Sequence, residues 1–145
     1  MKRDNLEQLS LLVVEDSPAD VFLLREAIKE EGLSCQMEVA DDGEKAFDIL
    51  DRVDNGSQNI PHLLLVDLNV PCHSGTQVLE RLRRSPRCGN TPVVMMSTSD
   101  TPTERKLALD LGANEYFCKP SSLAEFMKLG KLVRRLLEEQ HGAAA

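Results

Sequence analysis

The sequence predicts an α/β domain in which helices cover both faces of a five-stranded parallel sheet. Five short apolar runs alternate with five helical patterns along the 145 residues, an order typical of a doubly wound (βα)5 fold with right-handed crossovers. The run at residues 63–66 is apolar throughout rather than alternating, which indicates a strand buried on both faces. The length is sufficient for one domain with one core.

The five apolar runs give the strands in order. Each is short and is followed by polar or turn-forming residues, as expected for the strands of a compact sheet. The first ends on Glu15 and Asp16, and the third ends on Asp67. The predicted strands cover residues 11–14, 35–40, 63–67, 92–96 and 116–118.

The segments between these runs carry apolar residues at helical spacing. Ser17 and Pro18 supply an N-cap and a first turn for the first helix, which Gly32 ends. Glycine turns precede the second and third helices. The fourth helix is predicted at residues 103–111 and the last at about residues 122–140. We expect one domain at residues 9–140, with an N-terminal extension at 1–8 and a disordered tail at 141–145.

Composition excludes several classes of function. The net charge is −7, aromatic residues are 3% and Trp is absent, which argues against binding to nucleic acid or to anionic membranes. No stretch approaches the roughly 20 apolar residues of a membrane span. The first ten residues contain no apolar signal region, so we expect a cytoplasmic protein. The four cysteines are scattered without a CxxC pair, which favours reduced thiols over disulfides or a zinc site.

Chemically useful groups follow several of the predicted strands. Glu15 and Asp16 follow the first, Asp67 ends the third, Ser97 follows the fourth and Lys119 follows the fifth. In open parallel sheets, ligands bind outside the carboxyl ends of the strands. If the first and third strands are neighbours, three carboxylates therefore meet at this edge.

Such a group of carboxylates favours a divalent cation. Without one, mutual repulsion would leave at least one carboxylate protonated. Oxygen ligands completed by water suit Mg²⁺. With the Lys119 ammonium and the Ser97 hydroxyl, the group forms a receptor for phosphoryl, and Asp67 can act as a nucleophile that forms an acyl phosphate. Each residue alone could be a cap, a turn or solvated surface, so the prediction depends on their joint occurrence.

The segments that carry these groups resemble the receiver domain of two-component response regulators. They read LLVVEDSP, LLLVDLNVPCHSG, TPVVMMSTS and GANEYFCKP, and the resemblance extends from about residue 9 to residue 140. It implies a flavodoxin-like fold with the strand order 2-1-3-4-5. It also implies that signals leave through the face formed by the fourth helix, the fifth strand and the fifth helix.

The resemblance also implies individual roles. Asp67 is the phosphoacceptor and Lys119 pairs with its phosphate. Ser97 is the switch hydroxyl, with Thr98 as the alternative, and Tyr116 is the aromatic ring whose rotamer reports the state. The implied Mg²⁺ ligands are Glu15, Asp16, Asp67 and the backbone carbonyl of Asn69.

A narrower resemblance concerns the phosphoryl donor. The stretch EDSPADVFLLREAIKE and the loop DLNVPCHSG look most like small regulators paired with phytochromes, which implies a light-regulated sensor histidine kinase. The sequence has no kinase motif, so we expect the phosphoryl group to come from another protein and the acyl phosphate to hydrolyse slowly. Cys72 and His73 are unusual beside the site; a solvated loop and a thiol that modulates phosphorylation both remain open.

The apolar pattern of the last helix leads us to predict a homodimer. Its apolar residues span roughly 200°, wider than the ~100° stripe of an ordinary surface helix. A deeper core under a long helix is one reason for such a stripe. The alternative is that Leu129, Leu132 and Leu136 bury against a second copy in a homodimer.

Two further functions compete with the signalling receiver. A phosphorylation-independent dimeric module would not need the acidic pair, Asp67 and Lys119, which are all present. A small phosphohydrolase with an aspartyl nucleophile would need an acid/base aspartate at the position of Asn69 and a cap domain. We therefore expect a regulator rather than a dedicated enzyme.

Overall fold

The computed structural model describes residues 9–142, with side chains up to Gln140. The strands are β1 Leu9–Val14, β2 Cys35–Ala40, β3 Leu63–Asp67, β4 Val93–Ser97 and β5 Glu115–Cys118. The helices are α1 Pro18–Glu30, α2 Gly43–Asp54, α3 Gly75–Arg83, α4 Pro102–Asp110, α5 Leu123–Phe126 and α6 Lys128–Gly142. The predicted extension at residues 1–8 lies outside the described residues. So do residues 143–145 of the predicted tail, whereas α6 continues through 141 and 142.

The five strands form one sheet in the order β2-β1-β3-β4-β5, and every neighbouring pair is parallel. The predicted fold class and strand order are therefore confirmed. β2 and β3 have the predicted bounds, whereas β1 begins two residues earlier because Leu9 pairs with Cys35 at the start of β2. β2 alternates between exposed and half-buried residues over most of its length, as expected for an edge strand.

The sheet separates two apolar clusters. Leu64 and Val66 face the cluster covered by α2, α3 and α4, whereas Leu63 and Leu65 face the cluster covered by α1, α5 and α6. All five residues of β3 are buried as a result. Burying each leucine side chain contributes about 1.5–3 kcal/mol, so the position of β3, and of Asp67 at its end, is firmly fixed.

The single last helix of the prediction is divided into α5 and α6, joined at Met127. Leu129 and Leu136 are buried in the chain's own core, and Leu132 is half-buried against the same cluster. The prediction that Leu129 and Leu136 bury against a second copy is therefore wrong, and the deeper core accounts for the wide apolar stripe. The homodimer itself stays a prediction.

Gly130 explains why α6 lies so close to α1. A Cβ atom at Gly130 would lie 2.3 Å from the carbonyl oxygen of Ala27 in α1, which is closer than real contacts allow. The bare glycine lets the two helix backbones approach, so the adjacent leucines reach the sheet. None of the helices among the described residues is both long enough and apolar enough to cross a membrane.

Candidate functional site

The carboxyl ends of β1, β3 and β5 bring the predicted site residues together. The backbone N–H of Glu15 donates to the carbonyl oxygen of Ala40 at 3.0 Å, which continues the β1–β2 ladder beyond the strand. At the other side of the site, the N–H of Lys119 donates to the carbonyl oxygen of Ser97 at 2.7 Å. The backbones of Glu15 and Lys119 are thus both held by hydrogen bonds to a neighbouring strand, so their side chains start from fixed positions.

Asp67 is held at the centre of this edge and is 7% exposed. Its Oδ1 accepts a hydrogen bond from the N–H of Asn69 at 2.8 Å, as in a turn closed by an aspartate side chain. The N–H of Leu68 donates to the carbonyl oxygen of Met96 at 2.8 Å, which ties the next residue to β4. These bonds fix one carboxylate oxygen and leave Oδ2 directed toward Lys119.

Lys119 is surrounded by carboxylates. Its Nζ lies 2.5 Å from Glu15 Oε1 and 2.8 Å from Asp20 Oδ2, and it also contacts Asp67 Oδ2. An ammonium group has three N–H donors, so these three acceptors use all of them. Burial alone lowers the pKa of Lys119, but hydrogen bonds to Asp20, Asp67 and Glu15 outweigh burial and raise the pKa above its usual value. Lys119 is therefore a fixed positive charge beside Asp67.

The surroundings favour the neutral form of Glu15, whereas they favour the charged form of Lys119. Burial raises its pKa to about 7, although the hydrogen bond and charge of Lys119 act against this rise. The negative charge of Asp67 raises the pKa further. The other carboxylate oxygen, Oε2, accepts a hydrogen bond from the N–H of Ser17 at 3.1 Å. Glu15 is thus a buried carboxylate whose charged form is stabilised by Lys119.

Three carboxylates can approach one cation. Glu15, Asp16 and Asp67 each offer an oxygen, and these oxygens lie within 4.8 Å of one another. Asp16 is exposed, so the group opens to solvent on that side. Oxygen donors with room for water are the ligands that Mg²⁺ prefers, so this donor set fits the predicted metal. Asn69, two residues beyond Asp67, follows on the same loop.

The predicted switch residues occupy the end of β4 and the middle of β5. Ser97 is fully buried, and its Oγ accepts a hydrogen bond from the N–H of Ser99 at 3.0 Å, whereas Thr98 is exposed. The buried ring of Tyr116 donates through its hydroxyl to the carbonyl oxygen of Ser99 at 2.8 Å. The guanidinium of Arg105 lies 4.8 Å from the centre of that ring. Ser97 and Tyr116 are therefore linked through the same short loop.

The loop after β3 is anchored more firmly than a solvated loop. His73 stacks on Phe47 of α2, with ring centroids 4.1 Å apart. The N–H of Gly43 donates to the carbonyl oxygen of Pro71 at 2.9 Å, and a Cβ atom at Gly43 would lie 2.2 Å from the carbonyl oxygen of His73. Cys72 is exposed and has a φ of 75°, a left-handed conformation that is rare for residues other than glycine. His73 is therefore packed against α2 rather than solvated, whereas the exposure of Cys72 is compatible with both a solvated loop and a modulating thiol.

Asp20 is the site residue that sequence reasoning missed. It lies in the first turn of α1, and its contact with Lys119 spans 99 residues. The available sequence signal was weak: Asp20 follows the predicted N-cap Ser17 by three residues, which places it in the first turn of α1. That position puts the Asp20 carboxylate at the end of α1 that follows Asp16 and the carboxyl end of β1.

Comparison with known proteins agrees with this geometry. The family described as "Response regulator receiver domain" matches residues 11–131. The chain belongs to this family. The receiver prediction is therefore confirmed, and the protein is a response regulator receiver of two-component systems.

Several relatives are small regulators of the same type. Response regulator Rcp1 of Synechocystis sp. is 30% identical over 122 residues, which cover 82% of each chain. The Mn²⁺-bound structure of Rcp1 superposes with a TM-score of 0.77 and 28% identity, covering 87% of this chain and 91% of Rcp1. The phosphorylated cyanobacterial phytochrome response regulator RcpA gives a TM-score of 0.78 at 29% identity, covering 95% and 96% of the two chains. The predicted likeness to phytochrome-associated regulators is confirmed.

Some relatives are longer. Transcriptional regulatory protein CpxR of Escherichia coli is 33% identical over 131 residues, which cover 90% of this chain and 50% of CpxR. The chain thus spans about half the length of that regulator. The output of such proteins is therefore not carried over to this one.

Proposed function

We propose that this receiver accepts a phosphoryl group on Asp67 from a sensor histidine kinase, in a Mg²⁺-dependent reaction in the cytoplasm. The observation that carries the proposal is the contact between Lys119 and Asp67 at the carboxyl end of a fully buried strand. A nucleophile for phosphoryl transfer must be held rigidly, and the charge that develops on the phosphoryl oxygens must be neutralised. Asp67 and Lys119 meet both needs.

The proposed reaction replaces the P–N bond of a phosphohistidine with a P–O bond to Asp67. An oxygen of Asp67 attacks the phosphorus of a phosphohistidine in line, the P–N bond breaks, and an acyl phosphate forms. Lys119 pairs with a phosphoryl oxygen, and the Ser97 hydroxyl donates to another. Mg²⁺, held by Glu15, Asp16, Asp67 and the carbonyl of Asn69, would neutralise the remaining oxygen charge. Water later hydrolyses the acyl phosphate slowly.

Movement of Ser97 toward the phosphoryl group would carry the signal outward. The N–H of Ser99 donates to the Ser97 hydroxyl, and the Tyr116 hydroxyl donates to the Ser99 carbonyl. A shift of Ser97 thus reaches Tyr116 through two hydrogen bonds. The surface formed by α4, β5 and α6 would then change its shape, which is a local charge event that biases a two-state element.

A phytochrome is the proposed class of kinase. RcpA, a phytochrome response regulator, aligns over nearly the whole of both chains, and Rcp1 aligns over most of both. That likeness supports a light-regulated histidine kinase as the phosphoryl donor. Transfer from the autophosphorylated kinase domain of a phytochrome, at a rate well above that from an unrelated histidine kinase, would support the pairing. Equal rates would contradict it.

The first experiment is intact-protein mass spectrometry after incubation with Mg²⁺ and acetyl phosphate. We expect a gain of one phosphoryl group in the wild-type protein and none in Asp67→Asn or in the presence of EDTA. A second control, Asp48→Asn, removes a carboxylate from the exposed face of α2 and should retain the gain. No gain in the wild-type protein, together with no binding of beryllofluoride, would overturn the proposed function.

A further inference from the structure

Asp20 contacts the lysine of the site without belonging to the group of carboxylates that can share a metal. Its Oδ2 lies 2.8 Å from Lys119 Nζ, and its side chain is 27% exposed. The carboxylate oxygens that lie within 4.8 Å of one another come from Glu15, Asp16 and Asp67. Asp20 is therefore a partner of Lys119 that the proposed metal does not use.

Local structure leaves the Asp20 carboxylate available for this contact. Ser17 caps α1, and its Oγ accepts from the N–H of Asp20 at 3.2 Å. In a capping box, an acid at this position would bond back to the N–H of the cap residue. Here the N–H of Ser17 donates instead to Glu15 Oε2 at 3.1 Å. Because Glu15 takes that role, Asp20 can point toward Lys119.

Lys119 and a metal would compete for the same oxygens. Of the three carboxylates that Lys119 contacts, Glu15 and Asp67 also belong to the metal group. An ammonium group paired with both of them opposes the entry of a divalent cation. Asp20 changes this balance, because Lys119 can keep one carboxylate partner while Glu15 and Asp67 turn to the metal.

We propose that Asp20 is a positioning residue that holds Lys119 beside Asp67 while the metal occupies Glu15, Asp16 and Asp67. Without Asp20, Lys119 has only the metal ligands as partners, and the two cations exclude each other. With Asp20, both cations occupy the site together, as the proposed phosphoryl transfer requires. The inference rests on the metal site of the proposed function, and not on the transfer step itself.

A double-mutant cycle on Mg²⁺ affinity tests this role. Calorimetric titrations would compare the wild-type protein with Asp20→Asn, Lys119→Gln and the double variant, all without phosphodonor. We expect Asp20→Asn to weaken Mg²⁺ binding about three- to tenfold when Lys119 is present, which lies in the lower part of the range of coupling between contacting residues. In the Lys119→Gln background, we expect the same change to alter affinity less than about twofold.

Two simpler roles for Asp20 predict different results. If Asp20 only adds negative charge near the metal, Asp20→Asn weakens Mg²⁺ binding equally in both backgrounds, and the proposal is overturned. If Asp20 only supports the start of α1, Asp20→Asn lowers thermal stability and leaves Mg²⁺ affinity unchanged, which also overturns it. Asp20→Ser, which also removes the charge while the N–H of residue 20 can still donate to Ser17, should repeat the result of Asp20→Asn. Asp48→Asn controls for the change in net charge.

The outcome is separable from that of the proposed function. Mg²⁺ affinities are measured on unphosphorylated protein, whereas the mass experiment reports phosphoryl transfer to Asp67. Coupling between Asp20 and Lys119 in a protein that accepts no phosphoryl group would refute the proposed function alone. Phosphorylation of Asp67 in a protein without the coupling would refute the role of Asp20 alone.

Discussion

The ammonium group of Lys119 lies 2.5 Å from the carboxylate of Glu15, although 104 residues separate them in the chain. This contact brings the ammonium group that follows β5 against the first carboxylate that follows β1. It does not fully offset the burial of Glu15, whose pKa stands at about 7. The metal-free site therefore has more buried carboxylate than one lysine can neutralise, and this excess has measurable consequences.

The first of these consequences is that the stability of the folded protein depends on pH. Because the pKa of Glu15 rises from 4.5 to about 7 on folding, the folded protein binds this proton more tightly than the unfolded chain does. The stabilisation is fully present below pH 4.5 and is lost as pH rises through about 7. Since glutamine stays neutral, Glu15→Gln should raise the melting temperature of the metal-free protein above pH 7.

Thermal melts in EDTA across this pH range would measure the effect. The gain from Glu15→Gln should shrink steadily as the pH falls toward 4.5. Glu44→Gln, which removes an exposed carboxylate from α2, serves as the control and should show no such trend. A gain from Glu15→Gln that is independent of pH would contradict the prediction.

A second prediction concerns the glycine that begins α3. A Cβ atom at Gly75 would lie 2.4 Å from the carbonyl oxygen of Asp67 and 2.7 Å from the Cα of Leu68. Both are backbone atoms of the β3 end, so they cannot move without shifting Asp67. We expect Gly75→Ala to reduce the free energy of unfolding by about 1–3 kcal/mol and to weaken Mg²⁺ binding.

Gly32→Ala is the matched control for this change. Gly32 has a φ of 74°, so alanine is strained there, but no atom lies within 4 Å of its added Cβ. We expect a comparable loss of stability in urea denaturation, roughly 1–2 kcal/mol, with unchanged Mg²⁺ affinity. If Gly75→Ala also left Mg²⁺ affinity unchanged, the close contact would not control the position of Asp67.

Most of the sheet and its carboxyl edge could be predicted from the sequence. The bounds of β2 and β3 agree with the prediction, because apolar runs ended by charged or turn-forming residues are a local signal. Glu15, Asp67 and Lys119 could be grouped because parallel strands direct their carboxyl ends to one edge. That inference needs only the strand order and the rule for parallel sheets.

The features that sequence reasoning misses depend on how helices pack. Asp20 reaches Lys119 only because the start of α1 and the side chain of Lys119 meet at the carboxyl edge of the sheet, which no local pattern specifies. The sequence of α6 is compatible with burial against a partner protein, because a wide apolar stripe does not specify which surface covers it. Gly130 allows α6 to approach Ala27 of α1 closely, so the adjacent leucines pack into the chain's own core. Such a contact is visible only in three dimensions.

A third prediction tests this assignment of the α6 leucines. Leu129 is fully buried, so Leu129→Ala should reduce the free energy of unfolding by about 2–5 kcal/mol in urea denaturation. Leu132 is half-buried, and Leu132→Ala should cost clearly less. Equal costs would indicate that α6 is rotated relative to the core. Sedimentation of Leu132→Glu tests the homodimer, because any dimer through this side of α6 should dissociate.

The last prediction ranks the four thiols by their rate of alkylation in the native protein. Cys72 is exposed on the loop after β3, whereas Cys88 is buried and lies 3.0 Å from the hydroxyl of Ser85. Burial raises the pKa of the thiols of Cys88 and Cys35, which reduces their reactive thiolate fraction. Cys72 should therefore react first and Cys88 last in a pulse of iodoacetamide followed by peptide mass mapping.

Urea provides the reference for this experiment, because all four thiols should react at similar rates in the unfolded chain. The native difference between Cys72 and Cys88 then measures protection by the fold. Because Cys88 belongs to the core cluster under α2 and α3, its alkylation requires local opening of that layer. Reaction of Cys88 as fast as Cys72 would mean that this layer opens readily, and that the scaffold behind Asp67 is less rigid than phosphoryl transfer requires.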